Sequence, residues 1–175
     1  MEYFILSQSS QVENPIEVMG LDKEQYCYAL KKTDFETLDK LKVAYFSGRE
    51  FEELCDVLTN PTFLISDALK KVMELYEKEM QFKGVQMFPT AKESKQYPLY
   101  WVPLLKEIDC LHKDAVFHDN GMLAELVLDD KKIRDRQIFR IANILEYKII
   151  VSLPVAESIL RRRLYGIGLK RVEVK

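Results

Sequence analysis

One group of side chains in the sequence has the residue types needed for metal or acid–base chemistry. It extends from Asp109 to Asp119 and includes Cys110 and both histidines, His112 and His118. A metal site needs ligands that converge from defined positions, as in HExxH or paired CxxC motifs. This spacing fits neither motif, and the group straddles a predicted strand, in which alternate side chains point to opposite faces. We therefore predict no metal site, and a small-molecule-binding or metal-dependent enzymatic domain that uses residues 109–119 is kept as the alternative hypothesis.

The common signatures of catalysis are missing elsewhere in the sequence. With only two histidines, no Ser/Cys–His–acid grouping stands out, and the six glycines are too scattered to form a phosphate-binding loop. The three cysteines, Cys27, Cys55 and Cys110, are widely spaced and never form a CxxC pair. This pattern favours reduced thiols in a cytoplasmic protein. We predict no catalytic residue and no cofactor.

Composition limits the class of protein and its partners. The chain has 175 residues, of which 47% are hydrophobic and 31% charged, as is typical of a soluble globular protein. A net charge of -2 and a pI near 5.8 argue against a general nucleic-acid binder, which is normally basic. The N-terminus resembles no signal peptide, and no apolar run is long enough to cross a bilayer. We expect a single cytoplasmic domain, residues 1–175, that binds neither nucleic acid nor membrane.

Two stretches of the chain, residues 63–88 and 149–174, repeat one plan. Each begins with three apolar residues and a serine, continues with a helical pattern, and then has a glycine before a strand-like segment. A serine suits a helix N-cap, and a glycine suits the position just after a helix. These strand-helix-strand repeats predict an α+β fold with a mainly antiparallel sheet and two principal amphipathic helices. The predicted caps and stops are Ser66 and Gly84 in the first repeat, and Ser152 and Gly168 in the second.

Hydrophobic periodicity predicts the elements within and around these repeats. Helical stripes are expected at Leu69, Val72, Met73, Tyr76 and Met80, and at Leu153, Ala156, Leu160 and Leu164. A further helix is expected over residues 34–42, and Asn120-Gly121 is typical of a hairpin turn. Strands are expected at residues 3–6, 26–30, 43–46 and 138–141.

Two segments are candidates for binding a protein partner. The first is an acidic cluster that contains Glu50, Glu52 and Glu53. Charge runs are usually solvated faces, and the functional interpretation is a contact patch for a basic partner.

The second candidate is the aromatic segment that contains Tyr97, Tyr100 and Trp101. Pro98 and Pro103 predict that any strand here lies at a sheet edge or is short, because proline cannot donate to a ladder. Core packing is the default for the tryptophan, but an edge strand rich in Tyr and Trp is also a typical protein-binding surface.

These motifs resemble those of a bacterial family, the type-eleven immunity proteins of polymorphic toxin systems. The family is similar in its short aromatic first strand, its Ile-Ser-acidic entry to a helix, its Gly-Val exit, and an aromatic strand followed by an acidic position. One departure is Leu153-Pro154 after the second serine, where the family pattern has an acidic residue. The matching segments are residues 3–6, 63–70, 84–85, 100–109, 138–141 and 150–152.

The resemblance implies a cytoplasmic inhibitor that binds a cognate toxin domain and blocks it without chemistry of its own. It brings no binding residues with it. The partner-binding candidates therefore remain those found from the residues alone: Glu50, Glu52, Glu53, Tyr97, Tyr100 and Trp101.

Overall fold

The computed structural model describes residues 1–22, 24–26 and 32–175. The helices are α1 (Lys32–Thr37), α2 (Asp67–Tyr76), α3 (Asp130–Ile133) and α4 (Leu153–Leu160). The strands are β1 (Tyr3–Gln8), β2 (Leu41–Phe46), β3 (Val57–Leu58), β4 (Leu64–Ser66), β5 (Gln81–Pro89), β6 (Leu99–Leu104), β7 (Glu107–Ile108), β8 (Val116–Phe117), β9 (Leu123–Glu125), β10 (Val127–Leu128), β11 (Ile138–Ile141), β12 (Ile149–Ser152) and β13 (Ile167–Val174).

The strands form two main sheets and one small hairpin. The six-stranded sheet has the order β10-β13-β1-β12-β11-β7, and the five-stranded sheet has the order β2-β5-β6-β4-β3. Strands β8 and β9 form a separate two-stranded ladder. Most ladders are antiparallel, and the parallel pairs are β2 with β5, β7 with β11 and β10 with β13. The predicted α+β fold class is confirmed.

Each main sheet is built around one strand-helix-strand unit. In the first unit, β4 leads through α2 to β5, and in the second, β12 leads through α4 to β13. The two strands of each unit are separated by one strand that is antiparallel to both of them, β6 in the first sheet and β1 in the second. The two units therefore share one local topology, and their helices α2 and α4 contact each other.

Helix α2 begins as the sequence predicts and ends earlier. The Ser66 hydroxyl accepts a hydrogen bond from the backbone N–H of Leu69 at 3.1 Å, which caps the helix start. The helix ends at Tyr76. The predicted helix stop at Gly84 is wrong, because Gly84 lies inside β5. A Cβ at this position would lie 2.8 Å from Leu41 Cδ1, so close packing in the sheet accounts for the glycine.

Helix α4 differs more from its prediction. Ser152 is at the N-cap position, but its hydroxyl donates to the side-chain oxygen of Gln137 and makes no cap bond. The predicted stripe is wrong at Leu160, which is 74% exposed, because the face that meets the core carries Val155, Ala156 and Ile159. The predicted stop at Gly168 is also wrong, since this residue lies in β13.

The central core lies between the two sheets and the two principal helices. It joins Leu6, Ile149 and Val151 of the six-stranded sheet to Val57 and Ile65 of the five-stranded sheet. The helices add their buried faces to the same core. A second core packs Ile16, Leu21, Tyr26, Phe35 and Leu38 against the other face of the five-stranded sheet, and a third packs Cys110 and Ile133 against the six-stranded sheet.

The elements predicted outside the two repeats are confirmed only in part. The hairpin around Asn120-Gly121 is confirmed as β8 and β9, and Gly121 has a φ of 82° in its turn. The helix predicted over residues 34–42 is shorter, because the chain enters β2 at Leu41. The strand predicted over residues 26–30 lies mostly outside the described residues, and Tyr26 itself is in a turn.

The prolines predict that the aromatic strand lies at a sheet edge or is short, and the edge position is wrong. Strand β6 lies between β5 and β4 in the interior of the five-stranded sheet. The ladder between β6 and β4 contains Tyr100 and Trp101 of β6, so Pro103 lies beyond its end. The missing N–H of Pro103 therefore costs β6 no hydrogen bond to β4.

Candidate partner-binding surface

The acidic cluster follows a tight loop at the end of β2. The carboxylate of Glu52 accepts hydrogen bonds from the backbone N–H groups of Gly48 and Arg49, at 2.7 and 3.1 Å, and from the Ser47 hydroxyl. Glu52 thus stabilises the loop through hydrogen bonds to the residues just before it. Glu50 is exposed at the tip of this loop.

Glu53 joins three separate segments of the chain. Its carboxylate accepts hydrogen bonds from the Tyr165 hydroxyl and, at 3.0 Å, from the backbone N–H of Asn14. The Tyr165 bond is the main reason that the pKa of Glu53 lies below its usual range, and the same bond raises the pKa of Tyr165. The ionised carboxylate is therefore the form that fits this site.

The three aromatic candidates divide between two faces of the five-stranded sheet. Tyr100 is 2% exposed, and its hydroxyl donates to the backbone carbonyl of Cys55 at 2.7 Å. Trp101 points to the opposite face, where its indole N–H donates to Asp67 Oδ1 at 3.2 Å. Tyr97 precedes β6 and is 57% exposed. Tyr97 and Trp101 are thus available at a surface, while Tyr100 is a core residue.

The face that carries Trp101 is only partly covered by the helices. The register places Leu41 beside Gly84 and Gly84 beside Trp101, so these residues form one row across three strands. Next to Trp101, α2 covers the sheet, and Lys70 Nζ lies 4.5 Å from the indole ring centroid. Towards β2 the face is open. We call this region the open sheet face, and it consists of Leu41, Val43, Tyr45, Phe88 and Tyr97, all of which are exposed.

Sequence reasoning missed the β2 part of this surface. Phe88 and Tyr97 pack together, with ring centroids 5.7 Å apart, and Tyr45 lies beside Phe88 in the ladder. The signal was the composition of β2, which is apolar at five of its six positions, on both faces of the strand. Such a strand is expected to be covered on both sides, yet only Ala44 and Phe46 are buried.

The structure does not assemble a site from residues 109–119. His112 Nδ1 lies 3.5 Å from Asp114 Oδ2, whereas His118 is exposed on the hairpin. Burial is the main reason that the pKa of Cys110 rises to about 12, so the free thiol is protonated at neutral pH. No group of three or more His, Cys, Asp or Glu residues that could hold a metal occurs among the described residues.

A separate cleft lies away from residues 109–119. It has a volume of about 510 Å³ and is lined by Met80, Gln81, Ile138 and Arg140, together with residues 104–107. Arg140 is already paired there, since its Nη2 lies 2.6 Å from Glu107 Oε2. Neither histidine lines this cleft, so it lends no support to the alternative hypothesis.

The fold and its surfaces define an α+β protein with an acidic loop and an open apolar sheet face. None of the described helices has the length and apolar character needed to cross a membrane. The family model described as "Immunity protein family (Imm11)" matches residues 16–174, and the chain belongs to this family. No curated protein sequence matches the chain. Membership indicates a role in immunity to a toxin.

Proposed function

We propose that this protein binds a cognate bacterial toxin in the cytoplasm and neutralises it without catalysis of its own. The match to the immunity family over residues 16–174 carries this proposal. The toxin would belong to a polymorphic toxin system. Blocking by direct contact needs a complementary surface, and it needs no reactive group on the inhibitor.

The contact residues expected from sequence are Glu50, Glu52, Glu53, Tyr97, Tyr100 and Trp101, and their role stays a prediction. The exposure of Glu50 and Tyr97 supports direct contact most clearly. The side chain of Trp101 is partly exposed beside the open sheet face. Tyr100 is buried, and Glu52 and Glu53 bind backbone groups. We expect these three residues to contribute to binding indirectly, by stabilising the structure of the surface.

Co-expression with a toxin candidate tests this function. The candidate is the C-terminal toxin-like domain encoded by a neighbouring reading frame. We expect this protein to restore growth to cells that express the domain, and the purified pair to bind with a sub-micromolar Kd by calorimetry. A matched control is an unrelated toxin domain, which should still kill. Failure of both rescue and binding by the neighbouring domain would remove the proposal.

A further inference from the structure

Strand β2 lies at the edge of the five-stranded sheet, and its outer side is only partly covered. Met19 donates to the carbonyl of Tyr45 at 2.8 Å and accepts from the N–H of Tyr45 at 2.9 Å. On the inner side, the carbonyls of Lys40 and Phe46 accept hydrogen bonds from the β5 side at 2.9 and 2.8 Å. The backbone polar groups of Tyr45 thus face outwards, and those of the even-numbered residues face the sheet.

The same alternation leaves Leu41 and Val43 with outward-facing backbone groups. Successive residues of a strand direct their N–H and C=O to opposite sides, so the backbone groups of Leu41 and Val43 point outwards, as those of Tyr45 do. Among the described residues, none donates to or accepts from those outward groups. Within the part of the chain that the structure describes, two N–H donors and two carbonyl acceptors therefore form an unpaired edge beside the single bridge made by Met19.

The side chains at this edge are apolar and exposed. Leu41 is 56% exposed and Val43 is 45% exposed, and both belong to the open sheet face. An exposed apolar edge is a template for pairing with another strand, and sheet proteins usually blunt such edges with charges, prolines or bulges. The outward-facing residues Leu41, Val43 and Tyr45 include no charge and no proline.

We propose that β2 receives an extended strand from the toxin, which pairs with Leu41 and Val43 and continues the five-stranded sheet. This inference rests on the proposed function and names the part of the toxin that is bound. The strand would carry apolar residues at alternate positions, because those side chains would lie beside Leu41 and Val43 on the open sheet face. Tyr97 and Trp101 would then extend the contact across that face.

A second copy of the chain fits this edge less well than a foreign strand. A symmetric antiparallel pair must bring the same residues together from both copies. If Lys42 met Lys42, Leu41 of one copy would lie opposite Val43 of the other, and two like charges would face each other directly, which destabilises a strand pair. If Val43 met Val43, Leu41 of one copy would lie opposite Tyr45 of the other. That position is already occupied by Met19, which bonds both backbone groups of Tyr45. A foreign strand that ends before Met19 avoids this clash.

A proline at position 43 tests the pairing without breaking the inner ladder. The N–H of Val43 faces outwards, and proline is tolerated in an edge strand when the lost N–H faces solvent. We expect Val43→Pro to weaken binding of the neighbouring-frame toxin domain by about tenfold or more, since a backbone hydrogen bond is lost and the ring obstructs the strand. The matched control Val43→Thr keeps the N–H and the branched shape, and it should lose less affinity than the proline variant.

Hydrogen exchange on the unchanged protein gives a second measurement that does not depend on any variant. The amides of Leu41 and Val43 should exchange quickly in the free protein and become protected in the complex. Tight binding of Val43→Pro, or unprotected amides at both positions in the complex, would overturn the strand inference while the proposed function stood. A wild-type dimer in sedimentation, with these amides already protected, would identify a second copy as the occupant and also overturn it. If the wild type neither binds the neighbouring-frame toxin domain nor rescues cells from it, the proposed function fails.

Discussion

Asp56 and Tyr165 exchange two hydrogen bonds across 109 residues of sequence. The N–H of Tyr165 donates to Asp56 Oδ2 at 2.6 Å, and the N–H of Asp56 donates to the carbonyl of Tyr165 at 2.8 Å. The other carboxylate oxygen of Asp56 accepts from the hydroxyl of Ser66, the residue that caps α2. One carboxylate therefore joins the helix start of the first strand-helix-strand unit to the helix-strand connection of the second.

Removal of this carboxylate should destabilise the protein. Asp56→Ala leaves the Tyr165 N–H and the Ser66 hydroxyl without their acceptor, and we expect a loss of about 2 kcal/mol in the free energy of unfolding. Urea denaturation measures the effect. Asp56→Asn keeps one acceptor oxygen and should recover part of the loss, whereas the exposed control Asp119→Ala should change stability by less than about 0.5 kcal/mol. Equal stabilities for Asp56→Ala and the control would contradict the role assigned to this carboxylate.

The Glu53–Tyr165 hydrogen bond should give stability a defined pH dependence. Because the pKa of Glu53 is lowered in the folded state, its contribution is present above the ordinary carboxyl range and is lost as pH falls through the folded pKa. The pKa of Tyr165 is raised, so its contribution is present below its ordinary value and is lost at high pH. We expect the stability difference between wild type and Tyr165→Phe to be present at pH 7 and to shrink below pH 4.

Denaturant unfolding at pH 7 and pH 3 measures this difference. Tyr97→Phe is the matched control, since Tyr97 is exposed and its hydroxyl donates to none of the described residues. A Tyr165→Phe effect of the same size at both pH values would show that the hydrogen bond to Glu53 is not its source.

The sequence predicts helix caps and turns better than it predicts which face of a sheet is covered. The serine at the start of α2 and the hairpin glycine act locally, so residue type alone identified both. The placement of Tyr100 and Trp101 on opposite faces follows from strand alternation, but the choice of buried face depends on where α2 packs. The open sheet face could not be predicted from β2 itself, because both of its faces are apolar except at Lys42, which lies on the same face as the buried Ala44 and Phe46.

The prediction that a glycine lies just after the helix is wrong at the chosen position in both repeats. Gly84 and Gly168 occupy equivalent places in the repeats, but both lie in strands, and the positive φ of 72° is at Gly166. The three exposed arginines after α4 lie in a turn, and Gly166 directly precedes β13. The spacing of the two repeats correctly placed Gly84 and Gly168 at equivalent positions. It did not predict which residue of the α4–β13 connection has the left-handed backbone.

Gly166 should therefore tolerate substitution less well than Gly168. A Cβ at Gly166 would lie 2.6 Å from Cys55 Cβ, and the left-handed backbone adds strain. At Gly168, the nearest atom to an added Cβ is Ser7 Oγ, at 3.0 Å, which belongs to a short side chain that can rotate. We expect Gly166→Ala to lower the free energy of unfolding by about 2 kcal/mol or more, and Gly168→Ala to cost about half as much. Thermal and urea unfolding of both variants checks the order, and a reversed order would contradict the packing described here.

The two histidines give the sharpest separation between the binding role and the enzymatic alternative. His112 contacts Asp114, His118 is exposed on the hairpin, and neither lines the cleft at Arg140. If inhibition needs only surface contact, His112→Ala and His118→Ala should rescue cells from the neighbouring-frame toxin domain as well as the wild type does. Calorimetry should give Kd values within about threefold of the wild-type value, because neither residue lies on the open sheet face. Loss of rescue in either variant with an unchanged Kd would indicate that the protein acts chemically on the toxin or its product, and the enzymatic alternative would then replace simple binding.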